Sequence, residues 1–335
     1  MWRERPASAL RPAAQALAVF LLSCADPALA AGPPPAFTQV ESIAMTVSDM
    51  ERAVDFYTRV LTFEKVTDRE VSGDSYEHLW GVFGLRVRAV RLRLGEEQLE
   101  LLQFLAPGGQ KLQQFNLLLA YARLRSFNVQ HASSGPQRLP DWNPNAAGIE
   151  AFYFRDPDGH NLEVLAFPAG KGLAKWHNPG GRLFLGIDHT AIVVSDTERS
   201  LHFYRDTLGM RVAGSSENYG TEQEHLNNVF GAHLRITALR AQHGPGIEFL
   251  EYVTPAGGRP LPVDTRASDV WYWQINLCAS QPAAFELSLT EAHWQLISGA
   301  TELPQAELGW RSGLITRDPD GHASLIGAGA ACTRI

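Results

Sequence analysis

Apolar and polar positions along the chain follow one pattern twice. A short apolar run, at residues 43–47 and again at 190–194, leads into Ser-Asp-x-Glu. Serine followed three residues later by glutamate marks a helix start, with Ser48 or Ser195 as the cap and Glu51 or Glu198 reciprocating. Ala53, Phe56, Tyr57 and Val60 then recur at helical spacing, as do Leu201, Tyr204 and Leu208. Residues 87–94 and 99–104, matched by 234–239 and 247–253, carry the period-two or continuous apolar patterning of strands. That order is βαβββ. A second, more divergent βαβββ completes each copy and ends in strands at 149–155 and 161–167, and at 313–317 and 323–326. Asp-Pro-Asp-Gly joins each pair of end strands as a tight turn, where proline fixes φ and glycine accepts a positive φ.

The two instances are copies of one unit. Residues 41–84 overlie 188–231 without a gap, at a constant offset of 147. Phe56-Tyr57 falls on Phe203-Tyr204, Glu77-His78-Leu79 on Glu224-His225-Leu226, and Val82-Phe83-Gly84 on Val229-Phe230-Gly231. Arg155-Asp156-Pro157-Asp158-Gly159-His160 recurs as Arg317-Asp318-Pro319-Asp320-Gly321-His322. The expected fold class is α+β, with paired βαβββ motifs forming curved mixed sheets in two tandem modules. These lie at 38–168 and 183–330, joined by a linker at 169–182. The four half-units are called A, B, C and D in chain order.

Composition narrows the function classes. A chain of 335 residues with 45% hydrophobic content can bury two cores, and a net charge of −7 with scattered basic residues argues against nucleic acid. Residues 1–31 read as a signal peptide, with Arg3, Arg5 and Arg11 before a short apolar run and Ala28-Leu29-Ala30 as the cleavage signal. The expected location is the periplasm. A lipobox reading of Leu21-Leu22-Ser23-Cys24, with an anchor on Cys24, is the alternative. No later run is long and apolar enough for a transmembrane span. Cys24, Cys278 and Cys332 have no paired spacing, so neither a zinc site nor a disulfide framework is expected.

The start Asp188-His189-Thr190-Ala191-Ile192-Val193-Val194-Ser195-Asp196, the helix with Phe203-Tyr204, the strand Ile247-Glu248-Phe249-Leu250 and the ending Asp156 to Glu163 resemble the vicinal-oxygen-chelate superfamily. That family groups glyoxalase I, extradiol dioxygenases, fosfomycin-resistance enzymes and metal-free bleomycin-binding proteins, so the fold does not settle the reaction. Metal-binding members take ligands from the first, fourth, fifth and eighth strands of a curved sheet. The resemblance places Ser42 and His189 on first strands, Glu100 and Glu248 on fourth strands, Gln274 on the fifth strand of D, and Glu163 and Leu325 on eighth strands. In B the stretch from Gly109 to Pro140 is about 15 residues shorter than Gly258 to Pro304. The fifth strand of B is therefore lost or replaced, with Gln114 or Asn116 in its remnant.

If each module made its own site, both would be damaged. If half-units pair across modules, B with C assembles His189, Glu248 and Glu163, while A with D leaves Ser42, Glu100, Gln274 and Leu325, a dead site. The B–C pairing is the expectation. One imidazole and two carboxylates suit Fe²⁺, Zn²⁺, Mn²⁺ or Ni²⁺, and three protein ligands leave positions open. Glu163 or Glu248 doubles as the proton-transferring base. Trp271, Trp273, Gln274 and His225 are weaker pocket candidates, the aromatics being also ordinary core residues. His160 and His322 read as turn residues.

The functional expectation is an exported metal-dependent lyase or dioxygenase acting on a small vicinal-oxygen or aromatic substrate, monomeric with intramolecular module pairing. The alternative is a non-catalytic small-molecule-binding protein.

Overall fold

The computed structural model describes residues 37–106, 118–178, 180–303 and 306–333. Half-unit A runs β1 (Gln39–Thr46), α1 (Met50–Asp55), β2 (Glu64–Ser72), α2 (Asp74–Trp80), β3 (Arg86–Leu94) and β4 (Glu97–Ala106). Half-unit B holds α3 (Leu118–Ser126), the two-residue strands β5 (Gln130–His131) and β6 (Gln137–Arg138), then β7 (Glu150–Arg155) and β8 (Asn161–Ala166). Half-unit C repeats A as β9 (His189–Val193), α4 (Thr197–Leu201), β10 (Arg211–Tyr219), α5 (Thr221–Asn227), β11 (His233–Arg240) and β12 (Gly246–Thr254). Half-unit D has β13 (Trp273–Cys278), α6 (Pro282–Glu291), β14 (Gln295–Glu302), β15 (Ser312–Arg317) and β16 (Ala323–Ala328). Gln114 and Asn116 lie outside the described residues.

The half-units join across the copies. β1 of A pairs antiparallel with β13 of D, giving an eight-stranded sheet in the order β14-β15-β16-β13-β1-β4-β3-β2. C forms a separate four-stranded sheet, β10-β11-β12-β9, and in B β7 pairs with β5, β6 and β8. B and C are tied by side chains: Asn143 Nδ2 donates to Asn218 Oδ1 at 2.6 Å, and Ser133 Oγ donates to the Leu226 carbonyl at 2.5 Å. The described residues form one compact unit.

Period-two alternation explains how the sheets are filled. In β1 and β4, Ile43, Met45, Leu99 and Leu101 point into one core with Phe56, Tyr57, Phe152 and Phe154. Ala44, Leu102 and Phe104 point into another with Trp80, Tyr272, Trp310 and Leu325. After α1 and α4 the chain widens into π-helical turns at Phe56–Val60 and His202–Thr207, and the two consecutive aromatics of each copy are buried.

The helix caps differ from the expected Ser–Glu box. Asp49 and Asp196 are the caps, accepting from the backbone N–H of Arg52 and Arg199. Ser48 turns instead to the B turn, donating to Asp158 Oδ1 at 2.5 Å, and Glu51 pairs with Arg88. Aspartate wins because its carboxylate reaches the N3 amide and favours the positive helix end.

The Asp-Pro-Asp-Gly turns tie the half-units of one copy together. Asp156 accepts from the amides of Asp158 and His160, from His160 Nδ1 at 2.8 Å and from Tyr57 Oη at 2.9 Å. Asp318 repeats this with His322 and Tyr204.

The cysteine expectation is corrected. Cys278, in β13, and Cys332, in the short helical turn Ala330–Thr333, form a disulfide with Cα atoms 5.5 Å apart. Their 54-residue separation hides in sequence a proximity that D creates by placing β16 beside β13. No helix among the described residues is long and apolar enough to cross a membrane.

Candidate functional site

The two cross-copy pairings have opposite interiors. In the A–D pairing the fourth-strand carboxylate Glu100 is 3% exposed and bonded to Arg91 Nη2 at 3.1 Å, while Nη1 of Arg91 holds Glu41 at 2.6 Å. Asn276 Nδ2 donates to Ser42 Oγ at 2.9 Å and to Glu100 Oε2 at 3.3 Å. Gln274 accepts from Tyr272 Oη at 2.8 Å and donates to Asn276 Oδ1 at 2.6 Å. The residue of D that reaches Ser42 and Glu100 is thus Asn276, directly opposite Ser42 in the ladder, and not Gln274, which sits opposite Ala44. Trp80, Trp310 and Leu325 fill the remaining space. This interior is closed.

The B–C interior is open. A cavity of about 1690 Å³ is lined there by Tyr153, Glu163, His189, Leu250, Tyr252, Trp271 and Trp273, and farther out by residues of A and the linker such as Leu99 and Trp176. His189 opens β9, Glu248 stands on the neighbouring β12, and Glu163 on β8 reaches across from B. His189 Nε2 lies 3.5 Å from Glu248 Oε2 and 3.7 Å from Glu163 Oε2, with 14%, 21% and 15% of the respective side chains exposed. These separations are longer than a well-formed hydrogen bond, and no group of three or more His, Cys, Asp or Glu among the described residues is placed so that it could hold a metal ion as it stands.

The ring's other nitrogen is engaged. Nδ1 of His189 lies 3.0 Å from Asp188 Oδ2, and Arg240 Nη2 donates to that same oxygen at 2.9 Å. Burial opposes the charge of the His189 imidazole, but Glu248, Asp188 and Glu163 outweigh it and push its pKa up to about 9. Burial raises the Glu163 carboxyl to about 7, against the pull of His189. Asp188 is held down at about 2 despite burial, chiefly by its bond to His189.

Charge separates the two interiors most sharply. Arg91 supplies the A–D carboxylates with a cation, and the matching ladder position opposite Glu248 is Ala238. No Lys or Arg among the described residues forms an ion pair with Glu163 or Glu248.

The pocket candidates divide. Trp273 lines the cavity and donates from Nε1 to Thr190 Oγ1 at 3.0 Å, and Trp271 stands half exposed at its rim. Gln274 belongs to the closed interior, and His225 sits on α5 with its carbonyl bonded to Ser134, away from the cavity lining. Sequence reasoning missed Arg91, Asn276, Asp188 and the cavity tyrosines. The Arg91 and Ala238 exchange was readable, since the 147-residue offset runs on through that strand.

Residues 39–164 and 186–323 each match the sequence profile described as Glyoxalase/Bleomycin resistance protein/Dioxygenase superfamily. A 137-residue stretch is 30% identical to the iron-dependent extradiol dioxygenase of Rhodococcus jostii (strain RHA1), covering 38% of this chain and 42% of that protein. The match thus spans less than half the length of that relative. The fold is similar to glyoxalase I from Zea mays, with a TM-score of 0.57 at 13% identity over 88% of this chain and 93% of that one. It is also similar to a putative dioxygenase from Bacillus subtilis subsp. subtilis str. 168, with a TM-score of 0.54 at 13% identity over 88% and 86% of the two chains. Two profile matches in tandem, over a repeat whose half-units pair across the copies, place this chain in the glyoxalase/bleomycin resistance protein/dioxygenase superfamily, and it belongs to that family.

Proposed function

We propose that the chain is an exported, divalent-metal-dependent lyase or dioxygenase of this superfamily, with one composite site built from B and C. One observation carries the reading: His189 and Glu163 face an open cavity with Glu248 beside the imidazole, and among the described residues none of the three meets a guanidinium like the one that neutralises the A–D carboxylates. Two donor atoms bound to one ion at 2.0–2.2 Å stand roughly 3.0–3.6 Å apart. The His189 separations of 3.5 and 3.7 Å stand at and just beyond the upper end of that range, so the donor set His189, Glu248 and Glu163 suits a divalent ion such as Fe²⁺, Zn²⁺, Mn²⁺ or Ni²⁺ once the side chains draw in around it. When bound, such an ion supplies Lewis acidity toward two neighbouring oxygens of a substrate.

The chain's own groups do the rest. Glu163, buried beside Tyr153, is placed to carry a proton to or from a substrate atom. Trp273, Leu250 and Tyr252 wall the cavity for a small, largely apolar or aromatic ligand. The disulfide supports the export reading, because such bonds persist in oxidising compartments.

Metal analysis of purified protein tests the reading. About one ion per chain is expected in the wild type, with loss in both His189→Ala and Glu163→Ala. Wild-type protein that takes up none of the four ions sinks it in favour of a binding protein, and metal retained in Glu163→Ala sinks the cross-copy assignment.

A further inference from the structure

We infer that Asp188 is a positioning residue for His189, and that the linker between the copies belongs to the same device through Trp176. The inference rests on the metal-centre reading above. A carboxylate only accepts hydrogen bonds, so the 3.0 Å contact holds a proton on Nδ1 of His189, and when the ring is neutral the lone pair is left at Nε2, the nitrogen facing Glu163 and Glu248. Asp188 is fixed from three sides. Arg240 Nη2 donates to Oδ2 at 2.9 Å, Arg240 Nη1 to the backbone carbonyl at 2.8 Å, and Trp176 Nε1 to Oδ1 at 3.0 Å. Arg240 also offsets the Asp188 charge, so the ring is oriented without a further net negative charge beside the two glutamates.

Trp176 lies on the short helical turn Ala174–His177, inside the segment expected to be a spacer. Its neighbour Lys175 pairs with Glu97 and with Glu96, the latter at 2.9 Å, and its ammonium sits 4.6 Å over the Trp176 ring. Glu97 accepts from the Ile187 amide at 3.2 Å. Gly186 has no room for a Cβ between Glu97 and Trp176, and one at Gly95 would collide with the Leu185 carbonyl. The β3–β4 hairpin of A, outside the B–C pairing, is thereby keyed to the linker and through Trp176 and Asp188 to the imidazole. Outer partners of this kind typically change metal affinity on the order of 10–100-fold when removed.

The test uses the full chain, Co²⁺ as the probe, and two changes. Trp176→Phe keeps the ring and removes the donor. Asp188→Ala removes the acceptor of Nδ1, so the remaining acceptors, Glu163 and Glu248, draw the ring proton to Nε2. Co²⁺ affinity is expected to fall on the order of 10–100-fold in Asp188→Ala and by a smaller factor in Trp176→Phe. The visible Co²⁺ spectrum should change while the circular dichroism of the metal-free proteins does not. In metal-free protein at a pH alkaline enough for a neutral ring, long-range ¹H–¹⁵N spectra should show Nδ1–H at His189 in the wild type and Nε2–H in Asp188→Ala. An unchanged tautomer in Asp188→Ala, or unchanged Co²⁺ affinity in both variants, overturns the inference. Wild-type protein that binds no Co²⁺ refutes the metal-centre reading, and the tautomer measurement then decides the positioning claim by itself.

Discussion

Ala238 stands opposite Glu248 at the ladder position that Arg91 holds opposite Glu100. The exchange is a direct handle on the open site. Ala238→Arg places a guanidinium beside Glu248 and should drive bound metal well below one ion per chain, with the fold unchanged by circular dichroism. Metal content at the wild-type level would show that the missing cation does not define the site.

The reverse change acts on stability. Arg91→Ala removes the guanidinium that Glu41 and Glu100 share at 5% and 3% exposure, and breaking a buried pair costs about 3–5 kcal/mol. Urea unfolding should show that loss. Combining Arg91→Met with Glu100→Gln should lose less than the two single losses summed, because the double change leaves fewer uncompensated charges.

His160, which is not among the three candidate ligands, sets a second pH dependence. Its Nδ1 faces Asp156 and its Nε2 lies 2.7 Å from the Val270 carbonyl, two acceptors that together call for the doubly protonated ring. Burial works against that charge, but Asp156 outweighs it, so the His160 pKa is raised. Asp156 is lowered although burial opposes it, chiefly by its bond to His160. A raised histidine stabilises the fold fully below its unfolded pKa, about 6.5, and loses this as pH climbs through the folded value. A lowered aspartate stabilises above about 3.9 and loses this as pH falls through its folded value. Tm should therefore drop on the alkaline side of pH 7 more steeply in wild type than in His160→Gln. Parallel Tm profiles would remove the assignment.

Cys332→Ser should lower the unfolding free energy by roughly 2–4 kcal/mol in non-reducing denaturant titrations, the usual range for a closed loop of this kind. Metal content should stay as in the wild type, since Cys278 lies in β13 of the closed interior.

The repeat, the α+β class and the strands that bury a face were legible because period-two and period-3.6 apolar patterns are local. The long strands β2 and β10 were not placed: their positions are mostly exposed, and an edge strand needs little apolar sequence. His189, Glu248 and Glu163 could be singled out as candidates because each sits at a fixed offset from a repeated motif, and the imidazole lies 3.5 and 3.7 Å from the two carboxylates. The Cys278–Cys332 bond and the Asn276 contacts were not, since both depend on β13 lying between β1 and β16. Asp188 was in plain view beside His189, but nothing in a linear pattern says that Trp176 and Arg240 converge on it.

The β1–β13 ladder has one more consequence. Two separate chains pairing this way about a twofold axis would make the same interface twice and carry two identical sites, so any change in one would appear in the other. Running both copies in one polypeptide removes that symmetry. Arg91 can then close one interior with its ion pairs without entering the second, which keeps an open cavity for a ligand.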